Sequence, residues 1–148
     1  MLTHIRPYSP GDLNRLLYIF DLNTPQYFDP SERAGFENYL RTAEGDNFIV
    51  ESGAKLLGCG GVCYESDGST AVFAWAMIHP DHHGKGLGRQ LCEYRLQRIR
   101  SQPHLKWVIV RTSQLTDGFY RKMGFQLKKV EKDYWAKGYD LYYMVMEL

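Results

Sequence analysis

The sequence predicts an α/β (α+β) domain, and three observations predict it. Short apolar runs rich in β-branched and aromatic residues recur at strand length, and amphipathic runs with helical spacing stand between some of them. Near mid-chain, one strand run passes through a glycine-rich turn directly into a helix run. At 148 residues the chain has the length of one domain, residues 1–148, with enough apolar content for a core.

Residues 2–6 form the first strand candidate. Ser9-Pro10-Gly11-Asp12 then reads as a helix start: Ser9 caps, Pro10 takes the first helical position, and Asp12 favours the first turn. The helix runs to about Phe20, with Leu13, Leu16, Leu17 and Phe20 on one face, and Asn23-Thr24-Pro25 breaks it. Asp29-Pro30-Ser31-Glu32 is a second start of the same kind, with Glu32 three residues after the cap; that helix carries Phe36, Tyr39 and Leu40 inward.

A meander of three strands follows, at 47–51, 55–64 and 70–78, joined by Ser52-Gly53 and Asp67-Gly68. Gly58, Gly60 and Gly61 lie inside the second of these, where glycine weakens a strand, so a bulge or close backbone packing is expected there. The run 89–100 is a helix with Leu91, Tyr94 and Ile99 on its buried side, ended by Gln102-Pro103. Residues 107–111 are a strand of Val and Ile type. Thr112 or Ser113 caps a short helix through Lys122, and Gly124 supplies the left-handed residue that stops it. Residues 126–132 and 140–146 read as the last two strands.

Composition excludes several classes. Hydrophobic content of 44% with 24% charged residues fits a folded globular chain, not a disordered one. A net charge of +1 gives no argument for nucleic acid or a membrane surface, and there is no apolar run of about 18 residues. The N-terminal residues lack the basic and apolar regions of a signal peptide. Cys59, Cys63 and Cys92 are odd in number and show no CxxC spacing, so they read as reduced thiols in a cytoplasmic protein. His79, His82 and His83 match no structural zinc spacing, and no metal site is expected. Eleven Tyr suit either a lined cleft or an aromatic core, and composition does not choose between them.

The most informative stretch is Ile78-His79-Pro80-Asp81-His82-His83-Gly84-Lys85-Gly86-Leu87-Gly88-Arg89. A strand–turn–helix of this kind aims backbone N–H groups at one point at the positive end of the new helix, an arrangement that binds phosphate. By itself it is equally a tight connection without a ligand. It is not a P-loop, since Gly86 follows Gly84-Lys85 where Ser or Thr is needed. Evenly spaced Gly84, Gly86 and Gly88 also depart from the dinucleotide-binding pattern.

A second signal lies downstream: Tyr120 followed by Arg121-Lys122-Met123-Gly124-Phe125. Together the two motifs resemble the GNAT superfamily of acetyl-CoA-dependent N-acetyltransferases. That family shows Arg/Gln-x-x-Gly-x-Gly/Ala after its fourth strand, a pattern matched here by His83-Gly84-Lys85-Gly86-Leu87-Gly88. It also carries a Tyr on a short late helix, before Glu-Lys-Leu-Gly-Phe or a relative of it. The order of strands and helices extends the resemblance over essentially the whole chain. Three departures stand out. His83 replaces the usual Arg or Gln, Ser113 stands where many members have an Asn seven residues before the Tyr, and the strand Val72-Phe73-Ala74-Trp75-Ala76-Met77-Ile78 has no carboxylate to serve as general base.

The resemblance implies a mixed, mostly antiparallel twisted sheet of six or seven strands, splayed at strands four and five, with about four helices. It implies that the pyrophosphate of coenzyme A sits on the N–H groups of His83, Gly84, Lys85, Gly86, Leu87, Gly88 and Arg89. Met77 and Ile78 would orient the thioester and pantetheine through their backbone, and Ser113 would lie beside the pantetheine. Tyr120 would be the catalytic proton donor to the leaving sulfur. The acceptor would enter by the loop between the first two helices, at Asn23, Tyr27 and Phe28, with Thr24, Pro25 and Gln26 nearby and Tyr134 and Trp135 opposite. The function implied is direct N-acetyl transfer from acetyl-CoA to the amine of a small molecule or peptide. A non-catalytic acyl-CoA-binding module of the same fold is the alternative, which the missing carboxylate and Asn keep open. Many relatives dimerise, so a homodimer stays open, as do the acceptor, the base and the range of acyl groups.

Overall fold

The computed structural model describes residues 2–42 and 44–148. A single seven-stranded sheet carries the architecture: β1 (His4–Pro7), β2 (Asp46–Ser52), β3 (Lys55–Tyr64), β4 (Thr70–Ile78), β5 (Trp107–Thr112), β6 (Gln126–Ala136) and β7 (Tyr139–Glu147), in spatial order β1-β2-β3-β4-β5-β7-β6. Every neighbouring pair is antiparallel except β4 with β5. The expected fold class and the parting of strands four and five are both observed.

Two helices cover one face and two the other. Helix α1 (Leu13–Leu22) follows a 3-10 turn over Pro10–Asp12, and α2 (Arg33–Arg41) follows another over Pro30–Glu32. Both starts are closed by capping boxes, Ser9 with Asp12 and Asp29 with Glu32. Leu16, Leu17, Phe20, Phe36, Tyr39 and Leu40 are buried as their spacing requires, against Ile49, Leu56, Cys59 and Met77 of the sheet. On the opposite face, α3 (Leu87–Arg100) and α4 (Asp117–Lys122) pack Leu91, Leu96, Ile99 and Tyr120 onto Phe48, Val50, Val62, Phe73 and Met144. Strand alternation explains how β2 serves both layers: Phe48 and Val50 face one way, Ile49 the other.

Several sequence expectations shift. The first strand begins at His4, two residues later than expected, and the long helix at Leu87, two residues earlier. Tyr94 is only half-buried, edge-on to Phe48 at 5.1 Å, and Arg95 takes an inward position on α3 instead. The cap of α4 is Thr116, not Thr112 or Ser113. Ser113 opens the preceding turn, where its carbonyl accepts from the N–H groups of Thr116 and Asp117. Strand β6 extends to Ala136, beyond the expected Lys132. Gly124 has φ of +105° and ends α4 as expected.

Both features expected of Gly58, Gly60 and Gly61 are present. The β3–β4 register slips between Cys59 and Gly61, and a Cβ on any of the three would lie under 3.0 Å from a neighbour.

Candidate active site

The cleft originates in the sheet. Strand β4 pairs with β5 only over residues 70–73, opposite 107–110, after which the two separate. At the same level β4 bulges. Gly61 opposes Ala74 and Cys59 opposes Met77, so Trp75 and Ala76 together face Gly60 alone, with Trp75 at φ of +45°. The extra residue reverses the alternation. Phe73 belongs to the α3 layer, while Trp75 and Met77 pack on the α1–α2 layer. Residues 74–78 thereby form one wall of a cleft of about 990 Å³.

The floor of one end is the glycine turn. A 3-10 turn at Pro80–His82 leads through His83 to Gly84 (φ +75°) and Gly86 (φ +83°), and α3 begins at Leu87. Only glycine takes such angles without strain. No atom lies within 4 Å of where a Cβ would stand at either residue, so the turn is open on that side. Gly88 lies under the Phe119 ring, 3.5 Å from the position of a Cβ. The N-terminal N–H groups of this 14-residue helix have no carbonyl ahead of them within the helix, and its dipole favours an anion there.

On the opposite wall Tyr120 is 7% exposed and packs edge-on to Phe119 and Phe125. Burial raises the pKa of its phenol above the ordinary value, and the nearby Arg95 works against that rise. The mouth is aromatic. Tyr27 and Phe28 come from the segment after α1, and Trp135 and Tyr139 come from the β6–β7 hairpin. The Tyr139 hydroxyl donates to the Pro25 carbonyl, linking the two sides, and Trp135 Nε1 donates to the Thr112 carbonyl at 3.1 Å. Glu32 adds a carboxylate to this wall; one oxygen accepts from the Asp29 N–H at 2.9 Å, and burial raises its pKa.

A model of the GNAT acetyltransferase domain matches residues 43–127. The chain belongs to the GNAT acetyltransferase family. No curated protein matches its sequence. Solved structures share the fold at low identity. Ard1 from Thermoplasma volcanium superposes with a TM-score of 0.82 at 18% identity, over 100% of this chain and 99% of that one. The ribosomal-protein-S18-alanine N-acetyltransferase of Escherichia coli gives 0.80 at 16%, over 99% and 94%. A GNAT family acetyltransferase from Elizabethkingia anophelis with acetyl-CoA bound gives 0.75 at 20%, over 99% and 98%.

Most residues singled out from the family motifs meet in this one cleft: Met77, Ile78, His83, Gly84, Gly86, Leu87, Gly88, Arg89, Ser113 and Tyr120, with Asn23, Tyr27 and Phe28 on the same lining. Lys85 is not on its lining, and Arg89 pairs with Glu93 at 2.8 Å. The His83 ring does not face out toward a phosphate. Its Nε2 donates to the Ile78 carbonyl at 2.7 Å, with the ring edge-on to Tyr27. Asn23 is 2% exposed, and its Nδ2 donates to the Ile19 and Ile78 carbonyls at 2.9 and 3.1 Å, so its amide fastens α1 to the end of β4. The Ile78 carbonyl therefore serves those two donors. The Ser113 hydroxyl accepts from the Leu115 N–H at 3.2 Å. Trp135 is on the lining, whereas Thr24, Pro25, Gln26 and Tyr134 are not.

Arg95, Glu32, Trp75 and Tyr139 line the cleft without having been singled out for it. Glu32 was legible only as a helix cap. A single Arg in a helix of mixed charge carries no signal of burial, although the Gly60-Gly61 pair that receives it was visible. No helix among the described residues is long and apolar enough to cross a membrane.

Proposed function

We propose that the protein is an N-acetyltransferase that moves an acetyl group from acetyl-CoA directly to an amine of a small molecule or peptide. The observation that carries this reading is the continuity of one cleft from the open glycine turn, past the bulged edge of β4, to Tyr120 and the aromatic mouth.

The residues present suit coenzyme A. Left-handed Gly84 and Gly86 leave open a cradle that side chains would fill, and helix α3 begins directly behind it. Backbone N–H groups across residues 84–89 would hold the pyrophosphate, whereas the His83 N–H donates to the Pro80 carbonyl at 3.2 Å. Met77 and Ser113 line the same cleft as the turn and Tyr120, and the pantetheine would run beside them. When bound, acetyl-CoA supplies an acetyl thioester; transfer forms the amide C–N bond, breaks the C–S bond and leaves the electron pair on sulfur. Tyr120 gives its hydroxyl proton to that sulfur and regains one from solvent, which also takes the proton lost by the amine. The phenol, raised further by burial, carries its proton at neutral pH.

The acceptor would enter between Tyr27, Phe28, Trp135 and Tyr139. Their ring faces attract a cationic amine, and the Glu32 carboxylate adds charge of the right sign. With no carboxylate on β4, the amine is deprotonated through water. Titration calorimetry with acetyl-CoA, followed by a thiol-release screen over an amine panel, tests the reading. Binding with amine-dependent release is expected. Binding without release for any amine would favour the acyl-CoA-sensing module, and no binding would refute both.

A further inference from the structure

Arg95 is 1% exposed, the most deeply buried charged residue among those described. It stands on the third turn of α3, where its Nη1 donates to the Gly61 carbonyl at 3.1 Å and its guanidinium lies 3.8 Å over the Phe73 ring. Its Nε has no hydrogen-bond partner, and no carboxylate pairs with it among the described residues. The thiols of Cys59 and Cys92 supply no counter-charge, since burial pushes them up to about 12 and about 11. A buried cation without an anion costs stability, and an apolar residue of similar volume would sit there at lower free energy. The sheet nonetheless makes room for it: a Cβ at Gly60 would lie 3.1 Å from the guanidinium carbon.

The cation also faces the cleft. Gly88, Leu91 and Arg95 follow one another at helical spacing on one face of α3, and all three are on the cleft lining. The helix between the first and the last of them spans about 10 Å, leading away from the glycine turn. At its inner end the guanidinium covers Phe73, the last β4 residue paired with β5 before the two strands part. Coenzyme A held by its pyrophosphate at the turn would point its acyl group at this end. The neighbouring lining residues Phe73, Leu91 and Val110 are apolar. In such a setting a carboxylate needs a cation beside it, and a guanidinium offers it two parallel N–H donors.

We infer that the cleft takes, beside acetyl-CoA, coenzyme A thioesters whose acyl chain ends in a carboxylate, and that Arg95 selects them by receiving that carboxylate. This rests on the placement of coenzyme A proposed above and adds a class of donor to it. The transfer itself is the same: the amide C–N bond forms, the C–S bond breaks and the electron pair stays on sulfur. The distal carboxylate passes to the amine with the rest of the acyl chain, chemically unchanged. Arg95 gives up no proton.

The test compares acids with neutral thioesters of equal chain length: malonyl-CoA with propionyl-CoA, and succinyl-CoA with butyryl-CoA. Calorimetric titration gives Kd for each, and thiol release over the amine panel, corrected for spontaneous hydrolysis, gives kcat/KM. In at least one pair, wild type should bind the acid roughly tenfold or more tighter than its neutral partner, and the same acid should lead in kcat/KM. Arg95→Met should bring the ratio of Kd values in that pair to one or below, and Arg95→Lys should keep part of the preference. The comparison in wild type decides by itself if Arg95→Met does not fold.

Wild type that binds both acids no tighter than their neutral partners overturns the proposal, and so does a preference that survives in Arg95→Met. A fall in kcat for every donor in Arg95→Met, with the preference retained, overturns it as well, since the guanidinium would then serve the reacting centre that all donors share. Amine-dependent release from acetyl-CoA without any preference for an acid would leave the transferase reading standing and remove this one. Tighter binding of an acid, lost in Arg95→Met, in a protein that transfers nothing would uphold the carboxylate site and count against the transferase reading instead.

Discussion

Gly86 stands immediately before α3 at φ +83° and ψ 7°, and its carbonyl accepts from the Gln90 N–H at 3.0 Å. Gly86→Val meets no clash, because nothing lies within 4 Å of the new Cβ. Its whole effect is conformational. A β-branched residue at this φ carries strain of about 1–3 kcal/mol, of which a lower unfolded-state entropy returns about 0.4–1 kcal/mol. Strain of this size has two outlets. If the turn holds, the protein loses about 1–2 kcal/mol of stability, and its Tm falls by roughly 3–8 °C at this size. If the turn relaxes, the N–H groups of Leu87 and Gly88 swing off their common aim. Two charge-assisted hydrogen bonds at about 1.5–3 kcal/mol each would then be lost, weakening acetyl-CoA on the order of 10²–10⁴-fold. Calorimetric titration with acetyl-CoA and a thermal melt of the same sample measure both outlets. Gly86→Ala, with the same backbone demand and no branching, should show a smaller version of the same pattern. An unchanged Kd together with an unchanged Tm would refute both the left-handed turn and the placement of the phosphates on it.

Three further outcomes are expected. Tyr120→Phe should lower kcat roughly 10²-fold with KM for acetyl-CoA nearly unchanged, since in the proposed mechanism it removes a donor used only as the sulfur leaves; a matched fall in binding would make Tyr120 a packing residue. Asp12→Asn should cost about 2 kcal/mol near neutral pH, because Arg6, with the Ser9 N–H and Arg15, holds the Asp12 carboxyl down at about 2. A lowered carboxyl stabilises the fold above its unfolded pKa, about 3.8, and that contribution fades as pH falls through about 2, so melts of wild type and variant should converge there. In the native protein the Cys59 and Cys92 thiols, buried and raised to about 12 and 11, should resist iodoacetamide, and half-exposed Cys63 should react first; rapid labelling of Cys59 would show that the core around Arg95 opens.

Local chemistry made much of this protein legible from its sequence. The two capping boxes start at Ser9 and Asp29, and apolar spacing fixes the inward faces of α1 and α2. Gly84 and Gly86 marked a tight turn before a helix, and Gly124 declared the end of α4. Each of these depends on residues within a turn or two, so the order of residues contains it. What the order does not contain is the slip between β3 and β4. Alternation through Phe73, Trp75 and Met77 reads as one face of a regular strand, and only pairing against Gly60 reveals that the face changes at Trp75. Arg95 is hidden in the same way. Its helix reads as mixed charge, and its burial depends on a hollow left by a glycine 35 positions earlier on another strand. The His83 ring and the Asn23 amide both donate to the Ile78 carbonyl, a partner that only the folded chain brings within reach. The sequence determined the family, the elements and the glycine turn because those are local patterns. The tertiary structure decided which charge lies in the core and which polar groups are already satisfied, because burial and hydrogen bonding belong to pairs of residues distant in the chain.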